Sequence, residues 1–288
     1  MHVIGHCFEF HQPATLDDAC ALLARFGDDA SVLGGGTMLV PSMSANLAQP
    51  VHLIGLAALG LNEVALDDTH LHIGAMTTYA RLLASPLVAT HAPLLAAMTA
   101  QVTGGASILN QGTLGGAASF ANPSSDAPGC LAAMETIFEL SSSRGVRHVA
   151  ACDFFVDAFC TALRADEILT GIRVPRDATL VACEYQKYKA SASSWPIVTV
   201  ACSLHRGEQV SVRLAVGAAG RRPAYRRFVI EEATLRAPDA FIEQAAMSAL
   251  DLVGVGWSDE LADGRYRCAI LPGVVKRHLR SVLTGTKS

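Results

Sequence analysis

The stretch Gly104–Cys130, GGASILNQGTLGGAASFANPSSDAPGC, constrains this chain more than any other. It is built from Gly, Ala, Ser and Asn and carries no charge before Asp126. Its composition predicts a long loop centred on Gly112-Thr113-Leu114-Gly115-Gly116. Glycine takes positive φ without steric cost and leaves neighbouring amides uncovered, and successive exposed N–H groups in a bend form an anion-binding concavity. A second cluster, Gly34-Gly35-Gly36-Thr37, stands far upstream. Two such turns and one acidic residue, Asp126, point to a pyrophosphate gripped from two sides. Taken singly, each cluster reads equally well as a tight turn.

Better-known phosphate motifs do not fit. A G-x-G-x-x-G fingerprint starting at Gly34 needs glycine at position 39, which is Leu39, and neither cluster is followed by Gly-Lys-Ser/Thr. At 288 residues with 51 % hydrophobic and 17 % charged positions, the chain can bury a large core. No run approaches the ~20 apolar residues of a membrane helix, and Met1–Pro13 lacks the pattern of a signal peptide. A net charge of −4 without a Lys/Arg cluster argues against nucleic acid as partner. The eight cysteines are scattered without a C-x-x-C, so neither structural zinc nor an iron–sulfur site is encoded, and reduced thiols in a cytoplasmic protein are expected. His70 and His72 share a strand face with no third ligand near in sequence, so no metal site is expected.

Taken in order, Thr15 caps a helix ended by Gly27, and Ala30–Leu33 is a strand running into the first glycine cluster. Val51–Leu56 closes a β-α-β unit. Asn62–Ala65 and Thr69–Gly74 read as a hairpin, Thr78 opens a helix, and Pro86 to about Thr103 reads as one apolar helix buried nearly all round. Pro175-Arg176-Asp177 marks a boundary. Beyond it, Leu180–Lys189, Ile197–His205 and Val210–Val216 predict three antiparallel strands, followed by helices over about Pro238–Leu252 and Tyr266–Leu283. Lys187 and Lys189 alternate with tyrosines, which also suits the wet face of a strand, and Asp126 also suits a helix N-cap. Trp195 reads as core or interface, Tyr266 and Arg267 as structural.

A set of landmarks along the whole chain carries a specific resemblance. They are Phe10-His11-Gln12-Pro13, Leu33–Pro41 (LGGGTMLVP), Ile73–Thr78 (IGAMTT), Asn110–Gly116 (NQGTLGG), Asn122–Asp126 (NPSSD), Thr161-Ala162-Leu163, Glu167-Ile168-Leu169 and Tyr185-Gln186-Lys187. On these the chain resembles the FAD-binding (medium) subunit of the molybdenum hydroxylase family, which includes xanthine dehydrogenase and aerobic carbon monoxide dehydrogenase.

The resemblance implies an α+β fold: a two-subdomain PCMH-type FAD-binding fold over residues 1–60 and 61–176, then a C-terminal domain over 177–288 like that of the carbon monoxide dehydrogenase flavoprotein. It implies FAD in this chain, with Leu33, Gly34, Gly35, Gly36, Thr37, Met38 and Leu39 and the segment Thr113, Leu114, Gly115, Gly116 and Ala117 around the pyrophosphate, held by backbone amides and the Thr37 and Thr113 hydroxyls. Asp126 would sit beside the second segment, and Leu169 and Lys187 would line the flavin. Molybdopterin and [2Fe-2S] clusters are expected only in partners, a large molybdopterin-binding subunit and a small iron–sulfur subunit, in a hetero-hexamer. No residue of this chain is expected to act as acid, base or nucleophile. Leu109 stands where the family has Arg, Ala117 where Asn is common, and Tyr188–Ser194 lacks the family's Arg and Asp near the flavin ring. Two other readings stay open at this level: a self-contained FAD oxidase and a flavin-free assembly subunit.

Overall fold

A computed structural model describes residues 4–285, so the outermost residues of the expected first and third domains lie outside it. The chain opens with β1 (Glu9–His11), α1 (Leu16–Phe26), β2 (Ala30–Leu33), α2 (Leu39–Ser44) and β3 (His52–Gly55). The Thr15 side chain accepts the Asp18 amide and Gly27 ends α1, the caps that the sequence announces. The three strands form a parallel sheet in the order β1-β3-β2, with α1 packed on it through Ala19, Cys20 and Leu23. The first glycine cluster therefore leaves the carboxyl end of a parallel strand, where α/β units bind ligands.

The middle of the chain contains β4 (Val64–Leu66), β5 (His70–Gly74), α3 (Tyr79–Ala84), α4 (Pro86–His91), α5 (Pro93–Thr99), α6 (Gly105–Gln111), α7 (Leu114–Phe120) and α8 (Ala127–Ala133). It continues with β6 (Ile137–Ser142), β7 (Gly145–Ala150), α9 (Ala151–Phe154), β8 (Phe155–Asp157), β9 (Cys160–Thr161) and β10 (Ile168–Pro175). A five-stranded sheet runs β4-β5-β10-β6-β7.

Two expectations need correction in this region. The single helix expected from Pro86 to Thr103 is two, because Pro93 cannot donate an amide and forces Ala92 out of the helical region to φ −138°, ψ 57°. The long loop expected over Gly104–Cys130 holds α6, α7 and the start of α8. Its alanines favour helix, Thr113 caps α7 by accepting the Gly116 amide, and all of α8 is buried. Glycine in this stretch serves close packing rather than looseness.

The C-terminal part contains β11 (Leu180–Lys189), β12 (Pro196–Arg206), β13 (Val210–Gly217), β14 (Ala224–Ile230), α10 (Asp239–Val253) and α11 (Gly264–Thr284). Its antiparallel sheet, β11-β12-β13-β14, has four strands rather than the expected three. The missed strand is an edge whose Arg226 and Arg227 are exposed, so it lacks the apolar alternation of a half-buried strand. β12 is buried along almost its whole length because both faces are covered. Val200, Cys202 and Leu204 meet α10 and α11, while Tyr185, Ala201 and Ala215 join the core of the middle region. Among the described residues no helix is long and apolar enough to cross a membrane.

Arg267 ties this part together and is fully buried. Its guanidinium donates to the carbonyls of Ile197 (2.7 Å) and Ala218 (2.8 Å) and pairs with Asp259, which also accepts from Ser124 (2.6 Å) and Trp257 (3.0 Å). Replacing Arg267 by Ala removes the cationic partner of the part-buried Asp259 carboxylate and leaves two buried carbonyls without that donor, and is expected to cost about 3 kcal/mol in chemical denaturation. Lysine cannot reproduce the planar fork, so Arg267→Lys should recover less than half of that loss.

Candidate functional site: a cleft between two glycine segments

The two glycine segments, far apart in sequence, touch. A Cβ built on Gly35 would stand 1.7 Å from the Gln111 carbonyl oxygen, so only hydrogen fits there. Gly36 adopts φ +70°, a left-handed turn that glycine takes freely. The second segment is pinned to the end of β5: Leu114 donates to the Thr77 carbonyl (3.0 Å), Gly115 to that of Ala75 (2.9 Å), and Tyr79 to that of Gly112 (3.1 Å). A Cβ on Gly115 would come within 2.5 Å of the Ala75 side chain, so this crossing also demands glycine.

Beside this junction lies a cavity of about 560 Å³, within the usual range for a small-molecule site. Of the residues expected at the site, Gly34, Gly35, Gly36, Thr37, Met38, Leu39, Thr113, Gly115, Gly116, Ala117, Asp126 and Leu169 all line it. Leu33, Leu114 and Lys187 do not. Leu33 ends β2, where its carbonyl accepts the Leu56 amide, and Leu114 is a fully buried core residue.

The sharpest difference from expectation concerns the amides. In the second segment those of Leu114, Gly115, Gly116 and Ala117 are committed internally, to Thr77, Ala75, the Thr113 hydroxyl and the Thr113 carbonyl. In the first turn the amides of Gly35, Gly36, Thr37 and Met38 donate to no acceptor among the described residues. The two segments are thus unequal: among the described residues the first presents four successive open donors, while the second leaves only the Thr113 amide open and is otherwise a packed wall. Glycine content alone could not distinguish them.

The carboxylates at the cavity are neutralised from behind. Asp126 occupies the N-cap position of α8 without capping it. Its carboxylate accepts instead from the Tyr185 hydroxyl (2.5 Å) and from Lys187 Nζ (3.0 Å). The Lys187 side chain is 2 % exposed, so it is a buried counter-ion and not the wet face of a strand. Burial and the Asp126 charge push the Tyr185 phenol well above its ordinary value, keeping it a donor. Glu167 is held by Arg147 through two 2.7 Å bonds and by the Arg164 amide at 2.9 Å, which keeps its carboxyl below the ordinary range. A register shift between Leu169 and Gly171 bulges β10, the kind of irregularity that re-aims a neighbouring side chain. Leu169 and Ile168 both reach the wall.

Tyr79, Val102, Ile108 and Phe120 also line the cavity and were not singled out from sequence. They sit on or beside short apolar helices, where a lining residue and a core residue look alike. Trp195, expected in core or interface, lies on the wall with 36 % of its surface exposed, next to Ser193. His72 is occupied by Asp67, 2.6 Å away.

The description "FAD binding domain in molybdopterin dehydrogenase" matches residues 6–177. The chain belongs to this family. It is 32 % identical to the carbon monoxide dehydrogenase medium chain of Hydrogenophaga pseudoflava, over 95 % of this chain and 96 % of that one. It is 33 % identical to the nicotine 6-hydroxylase medium subunit of Paenarthrobacter nicotinovorans, over 73 % and 74 % of the two chains. The fold superposes on reconstituted CO dehydrogenase from Oligotropha carboxidovorans with a TM-score of 0.86 at 28 % identity, covering 99 % of this chain and 100 % of that one. FAD is accordingly the cofactor of this chain, a subunit of an oxidoreductase of the molybdenum hydroxylase family.

Lys187→Met leaves Asp126 buried with only a phenol partner and should cost about 3–5 kcal/mol in denaturant titration. Adding Asp126→Asn should restore much of that loss, because the uncompensated charge is then gone. Glu167, with its depressed folded value, contributes stability that is complete above about pH 4.3 and lost as pH falls through that folded value. The stability difference between the wild type and Glu167→Gln, measured from pH 7 down to 3, should therefore shrink on the acid side.

Proposed function

We propose that this chain is the electron-transfer subunit of a molybdenum hydroxylase, standing between the iron–sulfur clusters of a small partner and an external acceptor. Molybdopterin belongs to a large partner subunit, in a hexamer containing each of three subunit types twice. The observation that carries this reading is the cavity at the junction of the two glycine segments, with the open amides of Gly35–Met38 on its wall. FAD, when bound, supplies the chemistry that links one-electron donors to an acceptor such as NAD⁺, a quinone or oxygen.

The residues present fit that cofactor. Gly35, Gly36, Thr37 and Met38 offer adjacent amides to a pyrophosphate, and Thr37 and Thr113, each with a hydroxyl, both line the cavity. Neutral donors suit two phosphates in a narrow cleft. The carboxylates of Asp126 and Glu167, cancelled by Lys187 and Arg147, do not oppose the negative cofactor. Gly115, Gly116 and Ala117 close the opposite side, and Leu169 gives the flavin an apolar surface. Leu33, Leu114 and Lys187 then act indirectly, by fixing the first turn, the second segment and Asp126. This arrangement supports a division into 1–60, 61–176 and 177–288, with the cofactor between the first two parts. We place the complex in the cytoplasm, as its scattered cysteines imply.

The test is the flavin content of the purified complex and the identity of the chromophore released on denaturation. One FAD per chain is expected. Gly35→Val should abolish it. Thr37→Val, which keeps the shape, should weaken binding by about 1.5–3 kcal/mol, the loss of one hydrogen bond to a charged group. Adding substrate to the complex should bleach the flavin band, and removing the small subunit should prevent this. Absence of flavin from the intact complex would leave only a structural role.

A further inference from the structure

The geometry points to a divalent-metal site at the edge of the N-terminal sheet, formed by Glu9, His11 and His52, with zinc the ion that fits best. It is independent of the flavin cavity, since none of the three residues lines that cavity.

The sheet itself builds the site. Glu9 and His11 lie two residues apart on β1, so their side chains leave the same face. The parallel register sets Glu9 opposite His52 on β3. Three potential ligand atoms then converge: His11 Nε2 lies 3.1 Å from His52 Nδ1, and Glu9 Oε2 lies 3.5 Å from His52 Nδ1 and 3.9 Å from His11 Nε2.

Those lengths select the ion. Zinc bonds nitrogen and carboxylate oxygen at about 2.0–2.2 Å in tetrahedral geometry, so two of its ligands stand about 3.3–3.5 Å apart. The observed triangle of 3.1, 3.5 and 3.9 Å brackets that edge and needs shifts of only a few tenths of an ångström. Two imidazoles and one carboxylate form a mixed set suited to zinc, whereas calcium and magnesium prefer oxygen alone.

The imidazoles are also held in place. The Phe26 ring stacks on His52 at 3.7 Å between centroids and on His11 at 5.2 Å. Both histidine side chains are about 15 % exposed, while Glu9 reaches in from the rim at 66 %. An ion there would replace the proton that the two facing ring nitrogens share, with water completing the tetrahedron. It would clamp the edge strand β1 to β3.

The test uses the assembled complex, freed of loose metal with a chelator and then titrated with Zn²⁺ and with Co²⁺. Compared with complexes carrying His11→Gln or His52→Gln, the wild type should take up one additional Zn²⁺ per copy of this chain. Its Co²⁺ spectrum should show the intense visible bands of tetrahedral coordination, absent in both variants. Glu9→Gln, at an exposed rim position that leaves the fold unchanged, should weaken uptake at least tenfold. FAD content, equal in all four proteins, confirms that the variants are folded. Equal metal uptake by the wild type and the two histidine variants, or no Co²⁺ band in the wild type, would overturn the assignment and leave a hydrogen-bonded histidine pair.

Discussion

The contact between Gly35 and the Gln111 carbonyl is the constraint on which the cavity between the glycine segments depends. It brings a turn at the end of a parallel strand against a segment more than seventy residues later, with no room for a methyl group between them. The rest follows from that closeness. The second segment must be held firmly, so its amides are spent on β5 and on its own helix cap. The first turn, braced against it, need not spend its amides inside the protein. Rigid on one side and open on the other, the junction holds a row of unpaired amides in a fixed place. Such pre-organisation spares the ordering cost that a floppy glycine loop would incur on binding.

Sequence and structure agree most closely where a local rule decides the conformation. The Thr15 and Thr78 caps, the Gly27 stop and the strand over Ala30–Leu33 depend on neighbours in the chain, and they stand where the residues place them. The differences arise where burial in three dimensions outweighs local preference. Gly104–Cys130 folds as helices because small residues can pack against β5, β10 and the C-terminal sheet, which no window of sequence displays. The edge strand over Ala224–Ile230 was hidden by its own arginines. Within the site, the glycine turns, Asp126 and Leu169 were legible through their motifs. Tyr79, Ile108 and Phe120 were not, because an apolar side chain facing a cavity and one facing a core share the same pattern.

Lys187 shows how the electrostatics of the site depend on the domain beyond it. The lysine comes from β11 and Asp126 from the turn after the second glycine segment, so the ion pair crosses from the C-terminal sheet to the cavity wall. Tyr185, two residues away on the same face of β11, completes the arrangement and packs into the core of the middle region. The C-terminal sheet therefore does more than fill space. It supplies the positive charge that lets a carboxylate sit in the wall of the cavity.

The matched relatives carry names as different as carbon monoxide dehydrogenase and nicotine 6-hydroxylase, and the family match over residues 6–177 includes both glycine segments. The two carboxylates at the cavity are paired, Asp126 with Lys187 and Glu167 with Arg147. Ser193 and Trp195 line the same cavity, and the segment between Lys189 and Trp195 carries no charge. An uncharged rim neither attracts nor repels an acceptor by charge. Its character is set by shape and by the Trp195 indole.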